Sequence, residues 1–291
     1  KIEVKEKSTG QLRASFGATP SGEGGFGGLY GEGSYEQPNQ FGRGFALRGA
    51  ARYYNPTNFL FSLDFSNPRV ADSLWYLGSK VSWSTQMARY GIDYESLKNE
   101  ILFDLTVGRK LFEEVSGFVN YGFQQKMLKE DNILVPDLIP KISTASYLGM
   151  RLSRNTLNNL LDPSSGSSTS LKHKIIGGFL GGTEKYMEST LNFRYYYPIG
   201  ITDEYNLTLK WNNIGARLWN SGQPIALLSR YRLGGPSDLR AYDFESIGPV
   251  SYYKLPENNE IKKFNKGGYV KFFSQLELIA PLFGNGMVKG V

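Results

Sequence analysis

Few side chains in this sequence are suited to covalent or metal chemistry. The chain has no cysteine and a single histidine, His173. A disulfide framework and a thiolate metal site are therefore excluded, and a histidine-based triad or zinc centre is not expected. His173 falls in step with Leu171 and Ile175 on the apolar side of an alternating segment, which favours a packing or rim position. We expect no catalytic residue, no metal and no cofactor.

One glycine-rich segment has the spacing of a phosphate-binding loop. Residues 22–28 formally satisfy G-x-G-x-x-G, but no helical periodicity follows them and no dinucleotide-binding unit surrounds them. Cofactor binding is therefore not predicted. Glycine within strands weakens packing, so an early strand pair, Leu12 to Thr19 and Gly25 to Tyr35, is predicted to be a soft part of the sheet.

Alternation of apolar and polar residues is the main structural signal. Successive strand residues point to opposite faces, so a period of two predicts strands with one apolar face and one polar face in contact with water. Repeats of this pattern occur along the whole chain. The side chains predicted to face lipid include Phe61, Leu63, Phe103, Leu105, Phe193 and Leu209. Those predicted to face the lumen include Asp64, Asp104, Asn192 and Lys210.

Composition favours a β-barrel in a membrane. The chain has 291 residues, of which 40% are hydrophobic and 14% aromatic, and no uncharged apolar run approaches the ~18 residues of a spanning helix. A soluble sandwich also alternates, but charge confined to one face and aromatic residues at strand ends favour the barrel. The net charge of +6 is spread without a basic block, so nucleic acid is not an expected partner.

The links between the predicted strands differ in length. Residues 128–141 and 215–265 form long polar links. Short turns of outer-membrane barrels face the periplasm, so 215–265 is predicted to be a long extracellular loop. Short links are predicted at Pro38-Asn39-Gln40, Asn67-Pro68, Asp162-Pro163, Pro198-Ile199-Gly200 and Pro281-Leu282-Phe283-Gly284. The predicted fold is all-β, a transmembrane antiparallel β-barrel with about twelve strands in this chain.

Three stretches of the sequence go beyond a generic barrel. They are residues 151–171, the loop 231–249 and the strand 268–278 with its Pro281-Leu282 ending. In this order they resemble the barrel domain of the outer-membrane assembly superfamily. The resemblance implies a family barrel of about sixteen strands. It also implies that residues 1–10 are the junction from an upstream periplasmic POTRA domain and that 11–291 are a barrel domain lacking its last strands.

The loop motif is the most specific part of this resemblance. Its residues are Gly234, Gly235, Leu239, Arg240, Ala241 and Tyr242. Ala241 stands where the family usually has glycine, which affects the backbone of the loop tip more than the role of Arg240. Glu277 is predicted to face the lumen with Lys271 and Gln275. Without the resemblance, the sequence favours an Arg240 side chain in solvent and a Glu277 carboxylate hydrated in the lumen. With the resemblance, we predict a bidentate lumen pair at about 2.7 to 3.2 Å.

The resemblance implies an insertase that folds β-barrel proteins into the bacterial outer membrane. Its expected partners are unfolded outer-membrane proteins, outer-membrane lipids, periplasmic chaperones and accessory lipoproteins of an assembly complex. An incoming strand would pair with a weakly sealed first strand, because unpaired backbone groups are costly in a bilayer. The predicted seam comprises Leu12, Arg13, Ala14, Ser15, Phe16, Gly17 and Ala18.

Two other classes of function stay open at this point. A transport pore would be a porin or a two-partner secretion transporter. A porin should lack the Arg240 motif, and a secretion transporter should carry a plug helix upstream in place of the junction at residues 5–10. A barrel enzyme would need a grouping of serine, histidine and aspartate in the lumen or at the rim, for which His173 is poorly placed.

Overall fold

The computed structural model describes residues 10–20, 26–40, 42–54, 58–89, 95–128, 142–200, 206–235, 238–243, 245–254, 261–281 and 289–290. The strands of this part, in chain order, are β1 Gln11–Pro20, β2 Phe26–Gln40, β3 Phe45–Tyr54, β4 Asn58–Asn67, β5 Trp75–Arg89, β6 Glu95–Lys110, β7 Val115–Leu128, β8 Ile142–Asn155, β9 Gly166–Gly177, β10 Lys185–Gly200, β11 Asn206–Asn220, β12 Val250–Lys254, β13 Ile261–Asn265, β14 Val270–Pro281 and β15 Lys289–Gly290. Single 3-10 turns lie at Val70–Asp72, Gly178–Leu180 and Leu227–Ser229. Within these ranges no helix is both long and apolar enough to span a bilayer.

The main sheet follows chain order from β1 to β11 and continues with β14 and β15, and each pair of neighbours is antiparallel. β12 and β13 form a separate hairpin inside the long connection. The predicted all-β, antiparallel architecture is confirmed, with twelve long strands followed by the two-residue β15. Neighbour-to-neighbour pairing follows from short connections, which keep consecutive strands adjacent.

The strand register separates a lipid-facing surface from a lumen face. Phe61 pairs with Trp83, whereas Asp64 pairs with Lys80; the two residues of β4 are three apart and therefore lie on opposite faces. Phe61 is 44% exposed, and Asp64 Oδ1 lies 3.7 Å from Lys80 Nζ. The outward row formed by successive register partners is Leu12, Tyr35, Gly49, Leu63, Val81, Phe103 and Phe123. The assignment of faces is thus confirmed.

The lumen face carries a row of alternating charges across five strands. Its successive register partners are Glu36, Arg48, Asp64, Lys80 and Asp104. Arg48 Nε donates to Glu36 Oε1 at 2.8 Å. At the end of the row, Asp104 accepts hydrogen bonds from Asn120 Nδ2 at 2.7 Å and from the Tyr147 hydroxyl at 2.8 Å. Cross-strand pairs of this kind satisfy the polar face of the wall.

Some strand boundaries differ from the predicted links. Pro38-Asn39-Gln40 belongs to β2, which has a register shift between Gln37 and Gln40, and the turn follows it. Pro198-Ile199-Gly200 ends β10. β11 continues to Asn220, so the long connection begins at Ser221 and ends at Tyr269 rather than spanning 215–265. Proline is tolerated at strand ends and irregular positions, so Pro38 and Pro198 lie within strands rather than in the predicted links. The predicted link after Leu128 and most of the one after Pro281 lie outside the described residues.

Candidate functional site

Glu277 on β14 is the point where the barrel wall meets the long connection. The residue is buried, with 8% of its surface exposed. It is the register partner of Lys210 on β11, and Lys210 Nζ donates to Glu277 Oε2 at 2.6 Å. Gln275 Nε2, on the same face of β14, donates to Glu277 Oε1 at 2.6 Å. A buried carboxylate is therefore held by a cation and an amide of the wall itself.

Arg240 reaches the same carboxylate from the long connection. Its Nη2 donates to Glu277 Oε1 at 3.2 Å, which is one contact and not the bidentate pair predicted from the sequence. Lys210 and Gln275 donate to the same carboxylate, and the guanidinium adds a single hydrogen bond to it. The Arg240 side chain is 63% exposed, so solvent screens its pair with Glu277, and the pair with Lys210 is the stronger of the two.

The loop motif forms a tight turn around Arg240. The Tyr242 backbone N–H donates to Leu239 O at 3.1 Å, and the Gly235 N–H donates to Tyr242 O at 2.9 Å. Arg240 and Ala241 are the central residues of this β-turn, and Ala241 does not have a positive φ. Alanine is thus accommodated without strain. Gly234 has a φ of +115°, and a Cβ there would lie 2.2 Å from Asp243 O, so glycine is required at this position.

Asp238 organises the motif and was missed by sequence reasoning. Its Oδ1 accepts from the Gly234 N–H at 2.9 Å and from the Leu239 N–H at 2.8 Å. Its Oδ2 accepts from Lys271 Nζ of β14 at 3.2 Å. The only sequence signal was the general tendency of aspartate to bond backbone groups in turns. Asp238 and Arg240 therefore dock the motif onto two lumen positions of β14, Lys271 and Glu277.

A second attachment holds the start of the long connection against β8 and β10. Glu184 is 7% exposed and accepts hydrogen bonds from Ser143 Oγ and, at 2.8 Å, from Ser229 Oγ. The Tyr231 hydroxyl donates to Glu188 Oε1 at 2.8 Å. Burial and the charge of Glu188 raise the pKa of Tyr231, so the phenol remains a protonated donor. The connection is thus fixed at two separated places on the lumen wall.

We expect the substitution Tyr231→Phe to loosen this second attachment. It removes a hydrogen bond to a charged group, with an expected loss of about 1.5 to 3 kcal/mol in loop docking. The measurement is the rate of protease cleavage within the connection of the folded protein. Tyr242→Phe is the matched control, because Tyr242 is 56% exposed. Equal cleavage rates for the two variants would show that the Tyr231 hydroxyl does not hold the loop.

The predicted seam residues lie in β1. They pair with β2 in continuous register, from Leu12 opposite Tyr35 to Ala18 opposite Leu29. Leu12 and Phe16 are 81% and 83% exposed. No other strand in the described part of the chain pairs with the second edge of β1. Arg13 Nη2 donates to Gln11 Oε1 at 2.6 Å, a contact within β1 itself.

The remaining candidate for chemistry, His173, lies on the outward face of β9. Its register partners are Met150 and Ser189, and its Nδ1 is hydrogen-bonded to Ser189 Oγ at 2.9 Å. In the described ranges, no three histidine, aspartate or glutamate side chains are grouped as metal ligands. The arrangement of the site is suited to holding a loop, with charge pairs at fixed distances.

Comparison with known proteins identifies a family. The Omp85 superfamily domain matches residues 39–291. The outer membrane protein assembly factor BamA of Nitratidesulfovibrio vulgaris (strain Hildenborough) is 24% identical over 259 residues, which cover 86% of this chain and 30% of that protein. The chain therefore spans about a third of the length of this curated relative.

Two solved structures share the fold. BamA from Haemophilus ducreyi lacking POTRA domains 1–3 matches with a TM-score of 0.73 and 20% identity, over 95% of this chain and 54% of that one. CdiB from Acinetobacter baumannii matches with a TM-score of 0.58 and 13% identity, over 93% of this chain and 46% of that one.

Proposed function

This chain belongs to the Omp85 superfamily of integral outer-membrane β-barrels, and from that premise we propose that it folds and inserts other β-barrel proteins into the outer membrane. Relatives in sequence and in fold are named BamA. The proposed activity is assembly without covalent catalysis, and we propose no enzymatic activity. Its proposed partners are unfolded outer-membrane proteins, lipids, periplasmic chaperones and accessory lipoproteins. Residues 1–10 are proposed to join an upstream POTRA domain; residues 1–9 lie outside the described part of the chain.

The outward-facing side chains become larger between β3 and β4. One row of register partners runs from small to large side chains, in the order Ala14, Gly33, Ala51, Phe61, Trp83 and Ile101. Apolar area contributes about 25 cal/mol per Å², so the first three strands contribute less contact with lipid than the next three. This gradient supports a soft seam at the first strand.

The observation that carries the proposal is the pair of glycines Gly31 and Gly33 on β2. A Cβ added at either position would meet no atom within 4 Å, and neither residue has a positive φ. Neither steric fit nor backbone conformation therefore requires glycine there. Since glycine weakens a strand, the sequence keeps the partner of β1 less stable than the fold allows.

The proposed mechanism uses this weakness. An incoming strand pairs with the edge of β1 through backbone hydrogen bonds, which the bilayer interior favours because it offers no water as an alternative partner. The long connection meanwhile ties β10 to β14 through Glu188 and Glu277. We propose that this wall stays fixed while the seam opens.

We expect the double substitution Gly31→Val and Gly33→Val to stabilise the barrel and slow assembly. Valine at a strand position is favoured over glycine by up to about 1 kcal/mol, so two substitutions make separation of β1 from β2 roughly thirtyfold rarer. The measurement is the rate at which the full-length protein in lipid vesicles folds a barrel precursor.

The matched control is Gly215→Val on β11. Gly215 also has open space around an added Cβ, but it pairs with Leu191 and Phe272, far from β1 in the sheet order. Assembly should be unchanged in this variant. Full assembly by the double variant as well would contradict the soft-seam mechanism and favour a static transport pore.

A further inference from the structure

A cluster of polar side chains interrupts the lipid-facing surface on β9, β10 and β11. Ser189 is the register partner of both His173 and Arg217, so the three side chains share the outward face. Ser189 Oγ is hydrogen-bonded to His173 Nδ1 at 2.9 Å and accepts a hydrogen bond from Trp219 Nε1 at 3.1 Å. The Arg217 guanidinium carbon lies 3.8 Å from the centre of the Trp219 ring. These four residues are named the outer-face cluster.

The surroundings of the outer-face cluster are apolar. Met150, the partner of His173, is 55% exposed, and Val270, the partner of Arg217, is 66% exposed. Within the described residues, no carboxylate lies within ion-pair distance of Arg217. An unpaired cation on the lipid face of a barrel is strongly destabilising at the bilayer midplane and tolerated near the interface. The position of Arg217 along its strand therefore decides what can neutralise it.

The cluster lies close to the rim from which the long connection leaves the barrel. Arg217 is the fourth residue from the end of β11, and Ser189 is the fifth residue of β10. Three residues of a strand tilted by about 45° descend about 7 Å below the rim. That depth corresponds to the boundary between headgroups and hydrocarbon. The anions available at this boundary are the phosphate groups of lipids.

We propose that the outer-face cluster binds the phosphate of an anionic lipid. Stacking on Trp219 orients the guanidinium of Arg217, which suits the paired oxygens of a phosphate. Ser189 Oγ accepts from Trp219 Nε1 and is hydrogen-bonded to His173 Nδ1. In the tautomer in which Nδ1 is the acceptor, Nε2 carries the ring proton and is a second donor toward the phosphate. This site does not depend on the proposed assembly activity.

The test is lipid retention by the full-length protein. The protein is reconstituted in nanodiscs that contain phosphatidylglycerol and phosphatidylcholine, extracted in mild detergent, and analysed by native mass spectrometry for bound lipid. Arg217→Gln should retain about fivefold less phosphatidylglycerol, and Ser189→Ala about threefold less. The matched control is Arg194→Gln, which removes the same charge from the lumen face of β10, where Arg194 pairs with Asn212.

Circular dichroism checks that each variant keeps its strand content. Equal retention by Arg217→Gln and Arg194→Gln would overturn the proposal. Equal retention of phosphatidylcholine and phosphatidylglycerol would show that the cluster does not select an anionic lipid and would also overturn it. Displacement of the bound lipid by millimolar inorganic phosphate would assign the site to free phosphate instead.

Discussion

Substitution of Glu277 by glutamine is expected to lower assembly activity about tenfold or more and to weaken the docking of the loop motif on the wall. Glutamine keeps the size of the side chain but removes the charge that Lys210 and Arg240 share. Breaking a buried pair destabilises by about 3 to 5 kcal/mol. We expect roughly half of that, because Arg240 is largely exposed and screened by solvent.

Two readouts separate loop docking from overall folding. Protease cleavage within the connection reports docking, and the thermal midpoint of the barrel reports folding. Asp243→Asn is the matched control, since it removes the same charge from an exposed residue of the same loop. If Glu277→Gln assembled precursors as fast as Asp243→Asn, docking of the motif would not be needed for the proposed activity.

The faces of the strands could be predicted from sequence because they depend on local periodicity alone. Asp104 and Phe103 are adjacent in the chain, and a strand must send them to opposite sides. The register between two strands joined by a long connection cannot be predicted from local periodicity. Lys210 was assigned to the lumen, but its pairing with Glu277 depends on how β11 and β14 align across the residues between them.

The site was partly predictable for the same reason. The contact of Arg240 with Glu277 followed from the family resemblance and the phase of β14. The roles of Asp238 and Tyr231 did not follow, because a turn aspartate and a loop tyrosine have many solvated alternatives that a sequence does not distinguish. Ala241 was expected to alter the loop tip, yet the β-turn places it where a positive φ is not needed.

A disulfide that locks the first strand to its neighbour is expected to abolish assembly. The chain has no cysteine, so an introduced pair has no competitor within it. Ser15→Cys places one thiol on β1, and the second thiol belongs on the final strand of the full-length protein, at the position facing Ser15. Antiparallel partners lie about 4.5 to 5.5 Å apart between Cα atoms, which a disulfide can bridge.

The matched control is a disulfide between two strands that do not form the seam. Ser62 and Ser82 are register partners on β4 and β5, so Ser62→Cys with Ser82→Cys forms the same bond between strands that need not separate. This control accounts for any general effect of oxidation or of a stiffer barrel.

The soft-seam mechanism is tested most directly by the assembly rate of the seam-locked protein in lipid vesicles, measured oxidised and then reduced. We expect oxidation to abolish precursor folding, reductant to restore it, and the protein with the β4–β5 lock to fold precursors at the unlocked rate in both states. Full assembly by the oxidised seam-locked protein would rule out this mechanism, because it would show that β1 need not open.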